Sequence, residues 1–290
     1  MATKYFEAKA VRFCAARDAL LFALNCIEFK AQDELLVSVA LRSDISDFLK
    51  ANCVKLVLSD VCEAEFVCGC EDMLSKITEK TKAVVISHRF GRFTEPKILA
   101  ELKKRNITLI EECVGCIGSV YFSNNGLLRP GACDISCMIE SDFALVAFQN
   151  TELLKKFPVS DSSYCEKFLE LLPNIETLAG NRRQIALRYR LSAYEKGLPL
   201  DILPLDNKNC FCSMPVYPIR TKARDELAAY LKAFGMPCTA AVFAFEDSAL
   251  PQFEVWKKQL LLLSTDKSLT FAEQKKIIEK IGSFYADKID

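Results

Sequence analysis

Apolar and polar positions follow two rhythms along this chain. An apolar run from Ala83 to Ile86 leads to a turn at His88 to Arg92, and the apolar positions Ile98, Leu99 and Leu102 then recur at helical spacing. A second apolar run, Ile107 to Ile110, ends at Glu111 and Glu112. Strand, crossover helix and parallel strand make a βαβ unit. Thr94 suits a helix cap, Pro96 a first turn, and Lys103, Lys104 and Arg105 the helix end where the dipole favours cations. Ligands of open parallel sheets bind at the carboxyl ends of strands, so Ser87-His88-Arg89 and Glu111-Glu112 fall near one rim.

The same rhythms organise the rest. Residues 11–27, rich in Ala and Leu, predict a mostly buried first helix, and 35–41 and 54–58 predict strands. Ser43 and Asp44 are cap candidates for a helix through Phe48 and Leu49, and Met73, Leu74 and Ile77 mark a short helix. Ile135 to Ile139 and Phe143 to Phe148 predict a hairpin of two short strands. A helix over Glu166 to Leu172 then leads to a long one over Ile175 to Glu195, stopped by Gly197. Beyond it, Cys210 to Ile219 is interrupted by proline and predicts an edge strand. Arg224 to Phe234 forms an amphipathic helix closed by Gly235, and Thr270 with Glu273 is a capping box opening a helix through Tyr285. The expected fold is α/β. Residues 1–174 form a mainly parallel sheet flanked by helices, and 175–290 a long connecting helix with a smaller C-terminal α+β domain.

With 290 residues and 51% hydrophobic content, the chain can bury a large core. Lys plus Arg and Asp plus Glu both number 38, with no basic block, so no nucleic-acid or anionic-membrane partner is expected. The run Leu260 to Leu263 is too short to cross a bilayer, and Glu7, Lys9 and Arg12 interrupt the apolar core that a signal peptide needs. The expected compartment is therefore cytoplasmic. In that reducing setting most of the fourteen cysteines should be buried thiols. The groupings that stand out are Cys113-x-x-Cys116, Cys62 with Cys68 and Cys70, and Cys210 with Cys212. Only one CxxC exists and His88, the single histidine, is not in zinc spacing with it, so no metal site is predicted.

Four stretches, in order, resemble the DegT-type nucleotide-sugar aminotransferases: Thr81 to Tyr121, Cys133 to Cys137, Asn181 to Tyr189, and Arg224 to Pro237. The resemblance implies a fold-type-I pyridoxal-phosphate-transferase-like fold and a homodimer with composite active sites. The family's reaction moves an amino group from glutamate to a keto sugar nucleotide. That chemistry needs a lysine for the Schiff base, a carboxylate that keeps the pyridine nitrogen protonated, and donors for the phosphate. The family's lysine would follow Asp134 within a few residues, yet the next lysines here are Lys155 and Lys156, beyond a further strand. Glu112 stands where the family has Asp, and Gly115 and Ile117 where it has glutamine and histidine. Ala15 to Leu20 replaces a phosphate cup of small hydroxyl residues, leaving Arg17 to hold an anion. The chain is also shorter than family members, with losses before residue 10 and between Phe148 and Gly180.

The resemblance thus implies a degenerate sugar-aminotransferase-like pseudoenzyme with no catalytic residue and no cofactor. Glu112, Arg17 and His88 are what remains of its cofactor pocket. Such a protein would be a homodimer, or a heterodimer with an active paralogue, or would bind a nucleotide sugar. The alternative is a divergent aminotransferase or dehydratase dependent on pyridoxal phosphate, acting on a nucleotide-linked keto sugar with a site rebuilt from Arg17, His88 and Glu112.

Overall fold

The computed structural model describes residues 1–63, 66–67, 69–94, 96–123, 126–158, 160–203, 205, 210–245 and 250–287. Cys68 lies outside them, as do the side chains of Cys70, Ile98 and Leu99. The chain begins with α1 (Ala2–Tyr5), β1 (Ala10–Ala15), α2 (Ala19–Asn25), β2 (Glu34–Ser38), α3 (Ser46–Asn52), β3 (Lys55–Ser59) and α4 (Cys70–Ser75). The βαβ unit follows as β4 (Thr81–His88), α5 (Pro96–Lys104) and β5 (Thr108–Val114). Next come β6 (Val120–Ser123), β7 (Gly126–Leu128), β8 (Ile135–Ile139), β9 (Phe143–Phe148), α6 (Ser162–Leu171) and α7 (Ile175–Glu195). The last part holds β10 (Asp201–Ile202), β11 (Cys210–Phe211), β12 (Val216–Arg220), α8 (Arg224–Ala233), β13 (Cys238–Ala240), α9 (Pro251–Gln259), β14 (Leu260–Ser264) and α10 (Phe271–Ala286).

Seven strands form the large sheet in the order β1-β9-β8-β5-β4-β2-β3. β8, β5, β4, β2 and β3 are mutually parallel, and β9 runs against both its neighbours. Alternation sorts their side chains between two faces. Leu35, Val37, Ala83, Val85 and Ile110 pack with Leu20, Ala23 and Leu24 of α2 on one face, called here the front. Leu36, Val84, Ile86, Leu102 and Leu109 pack on the back. Burial on both sides explains why these strands read as unbroken apolar runs.

Residues 11–15 are a strand, not the start of the predicted first helix, which is confined to Ala19–Asn25. Val11 and Phe13 join the back cluster with Phe6 and Phe168 while Cys14 joins the front, a period of two, and β9 completes the ladder from Ala10↔Phe148 to Ala15↔Phe143.

The C-terminal elements build an antiparallel sheet, β10-β12-β14-β13, with α7, α8 and α10 packed on one side around Tyr189, Leu227 and Ile281. The predicted edge strand over Cys210 to Ile219 divides in two: β11 lies at the edge of a three-stranded sheet, β11-β6-β7, while β12 is an interior strand. Its Pro218 pairs with Leu262 of β14, but β10 reaches only as far as Ile219 and Arg220, so Pro218 has no ladder partner on that side. The other side of this sheet meets the rim of the large one through Val39, Ala40, Phe66, Phe90, Trp256, Leu260 and Leu262. Among the described residues no helix is long and apolar enough to cross a membrane.

Candidate functional site

The rim of the large sheet carries a fully buried carboxylate. Ser87 pairs with Glu112 across β4 and β5, so both face the front of the sheet. The segment after β2 folds over them. Glu112 Oε2 accepts from Arg42 N at 3.0 Å and Ser87 Oγ at 2.7 Å, while Oε1 accepts from Ser43 N at 2.9 Å and Ser43 Oγ at 2.6 Å. A carboxylate offers about four lone-pair sites, and here all are taken by the protein itself. Ser43 therefore serves Glu112 and not the helix cap expected of it. The start of α3 is held by Asp44, whose Oδ1 accepts from Ser46 N at 2.9 Å.

Two adjoining cavities share Arg42. One, of about 320 Å³, is bounded by Arg17, Arg42, Ser43, Asp44 and Ser141 together with Ala16 and Ile139. The other, of about 370 Å³, runs between the two sheets past Arg89. Arg17 is largely exposed and ion-paired with Asp18 at 3.3 Å. Among the described residues no lysine lines either cavity. Lys155 and Lys156 pair instead with Glu152 and Glu28. Between β8 and β9 lies only the short turn through Ser141, and both strands are buried throughout.

His88, grouped with Glu112 and Arg17 by sequence, pairs with Cys113 and so faces the back of the sheet. Its Nδ1 accepts from Thr94 N at 3.2 Å, so Nε2 carries the proton and donates to Glu111 Oε1 at 3.3 Å. Glu111 Oε2 also accepts from Ser136 Oγ at 2.5 Å and Gly131 N at 3.2 Å. Burial pushes the Glu111 pKa up, but the hydrogen bonds from His88, Ser136 and Gly131 outweigh it and hold this carboxyl below its ordinary range. Ligand atoms of His88, Glu111 and Cys113 lie within 4.8 Å of one another. With its proton on Nε2, the imidazole has no lone pair there for an ion. Burial drives the Cys113 and Cys116 thiols well above their usual range, so they remain protonated and unreactive.

Sequence reasoning placed Glu112 at the rim and proposed Arg17 as an anion holder. It missed Arg42, and gave Arg89 no role beyond its place at the strand end. The signal for Arg89 was a cation at the mouth of an otherwise apolar strand.

A sequence profile of the DegT/DnrJ/EryC1/StrS aminotransferase family matches residues 2–152. A Geobacillus stearothermophilus protein described as a pleiotropic regulatory protein is 24% identical over 307 residues, spanning 92% of this chain and 82% of that one. Among solved structures, S. venezuelae DesV in complex with a ketimine intermediate has a TM-score of 0.83 at 18% identity, over 97% of this chain and 86% of that chain. A DegT DnrJ EryC1 StrS aminotransferase from Brucella abortus gives 0.82 at 18%, over 98% and 88%. The putative sugar aminotransferase Spr1654 from Streptococcus pneumoniae, in its PLP form, gives 0.82 at 15%, over 97% and 88%. At such identities the structural likeness establishes the fold.

Proposed function

This chain belongs to the DegT/DnrJ/EryC1/StrS aminotransferase family, and from that premise we propose that it keeps the family scaffold without the covalent coenzyme chemistry. It would work as a partner subunit, in a homodimer or beside an active paralogue, or as a binder of nucleotide sugars that leaves them unchanged. Pyridoxal phosphate, when bound to an enzyme, supplies an electron sink for carbanion chemistry. The residues present do not fit it. A carboxylate would have to be free to meet the pyridine nitrogen, and an amine would have to reach the coenzyme's aldehyde carbon. The observation that carries the reading is that Glu112 already accepts four hydrogen bonds from Arg42, Ser43 and Ser87, in a rim whose cavities have no lysine in their walls among the described residues.

The test is direct. Purified protein is mixed with one equivalent of pyridoxal phosphate, reduced with borohydride and weighed intact by mass spectrometry. The expected spectrum shows the unmodified chain. A stoichiometric pyridoxyl adduct at a single lysine would overturn the proposal and favour the divergent enzyme instead.

A further inference from the structure

The cavity of about 370 Å³ between the two sheets contains a cation that no carboxylate among the described residues meets directly. Arg89 is 5% exposed. Its Nη1 donates to Ala40 O at 3.3 Å and its Nη2 to Val242 O at 3.2 Å, while Nε has no partner. The guanidinium carbon lies 5.2 Å from the ring centroids of both Phe90 and Phe243. Glu112 is the nearby counter-charge, but its lone pairs are spent on Arg42, Ser43 and Ser87. Burial, eased by Glu112 and aggravated by Arg42, lowers the Arg89 pKa to about 10, so the group still carries its charge at neutral pH.

Arg42 adds a second guanidinium on the same wall. Its backbone N–H is fixed to Glu112, and its exposed side chain borders both cavities. Two like charges around one hollow repel each other, and an anion between them removes the repulsion. The planar fork of arginine matches the oxygens of a phosphate or carboxylate. The other walls, formed by Phe90, Pro215, Val216, Val242 and Leu262, are apolar, with the Thr239 hydroxyl alongside. The volume lies within the ~300–1,000 Å³ typical of small-molecule sites.

We propose that Arg42 and Arg89 form a binding site for a small molecule with an anionic head, phosphate or carboxylate, on an apolar body. The head sits between the two guanidinium groups, and the body lies along the Phe90, Pro215 and Leu262 walls. This assignment rests on the reading that no covalently held coenzyme fills the rim, but it can fail independently of that reading. Borohydride trapping reports on lysine, whereas the measurement below reports on arginine.

Thermal unfolding of the full chain is followed at constant ionic strength with inorganic phosphate, phenyl phosphate, benzoate and a chloride control. The expected result is a saturable rise in Tm with phenyl phosphate or with benzoate, larger than with inorganic phosphate. Whichever of the two acts at the lower concentration identifies the head group. Arg42→Ala leaves the backbone bond to Glu112 in place, and should weaken the apparent affinity at least tenfold without lowering the ligand-free Tm. Arg89→Lys keeps the charge but not the fork, and should weaken it as well. The proposal is overturned if no anion gives a saturable shift beyond the chloride control, or if Arg42→Ala binds as tightly as the unaltered protein.

Discussion

Replacing Glu112 tests the geometry of the rim most sharply. In Glu112→Gln one carboxylate oxygen becomes an amide nitrogen. Placed at Oε2, that nitrogen faces Arg42 N–H and the Ser87 hydroxyl, and placed at Oε1 it faces Ser43 N–H and the Ser43 hydroxyl. A hydroxyl can rotate and accept, but a backbone N–H cannot. Either orientation therefore strands one backbone donor in the interior, costing about 1–3 kcal/mol, and the remaining bonds lose charge assistance worth about 1 kcal/mol. The uncharged side chain is easier to bury, which returns part of this. The net loss should be about 1–3 kcal/mol. Glu112→Asp keeps the charge but draws it back by one methylene from Arg42 and Ser43, and should lose a similar amount. The single tryptophan, Trp256, is buried in the cluster containing Val39 and Ala40, so its fluorescence reports on this region during urea unfolding. If both variants unfold within about 0.5 kcal/mol of the unaltered protein, the size expected of a featureless surface change, the loop does not hold Glu112 in solution. Its carboxylate is then open to a ligand.

Three further outcomes follow from other sites. Glu140 lines a cavity of about 580 Å³ with Asp142, Lys167, Glu170, Arg182 and Lys267, and its Oε1 is enclosed without a partner. Burial raises its pKa to about 7 against the opposing pull of Arg182 and a bond from the Ile117 backbone. The folded state thus holds the proton more tightly than the unfolded one, and stability falls as pH rises through about 7. Glu140→Gln should match the unaltered protein near pH ~4 and exceed it by up to about 3 kcal/mol near pH ~8, at about 1.4 kcal/mol per pKa unit. A difference that does not change with pH in denaturant titrations would refute this. Gly115 has φ +64°, and a Cβ there would stand 2.6 Å from Pro215 Cγ. Gly115→Ala should cost about 2–3 kcal/mol by strain and overpacking, and an unchanged urea midpoint would show that the contact is absent. Thr270 accepts from Glu273 N and Glu273 accepts from Thr270 N, so Thr270→Ala should cost about 1 kcal/mol, with Thr270→Ser restoring most of it in thermal melts.

The parts of the fold that could be read from sequence are those with a long, single period. The α7 boundaries, Ile175 and Glu195, coincide with the expected ones because twenty-one residues of helical spacing lie between a proline and a glycine. The capping box of α10 is likewise local. Residues 11–15 misled because five alternating positions run directly into the Ala and Leu of α2, and the partner that makes them a strand, β9, lies far along the chain. The site shows the same limit. Ser43 and Asp44 are both good cap residues, and nothing local says that Ser43 turns to a carboxylate 69 residues away. His88 could be assigned to the back face only once the β4–β5 register was known, since a shift of one residue would place it beside Glu112.

That register gives two successive glutamates opposite roles. Glu111 points to the back, where bonds from His88, Ser136 and Gly131 tie β4, β5 and the approach to β8 through one ionised carboxylate. Such a buried charge is tolerable only while every donor is in place, so this cluster belongs to the framework of the sheet. Glu112 points to the front, where its donors come from one loop, Arg42 and Ser43, and from one hydroxyl, Ser87. A change of loop alters what the front carboxylate meets and leaves the back cluster untouched. The two faces are therefore separable. The family scaffold thus accommodates a rim in which the Arg42–Ser43 segment closes over Glu112 while Arg42 and Arg89 line the adjoining cavity.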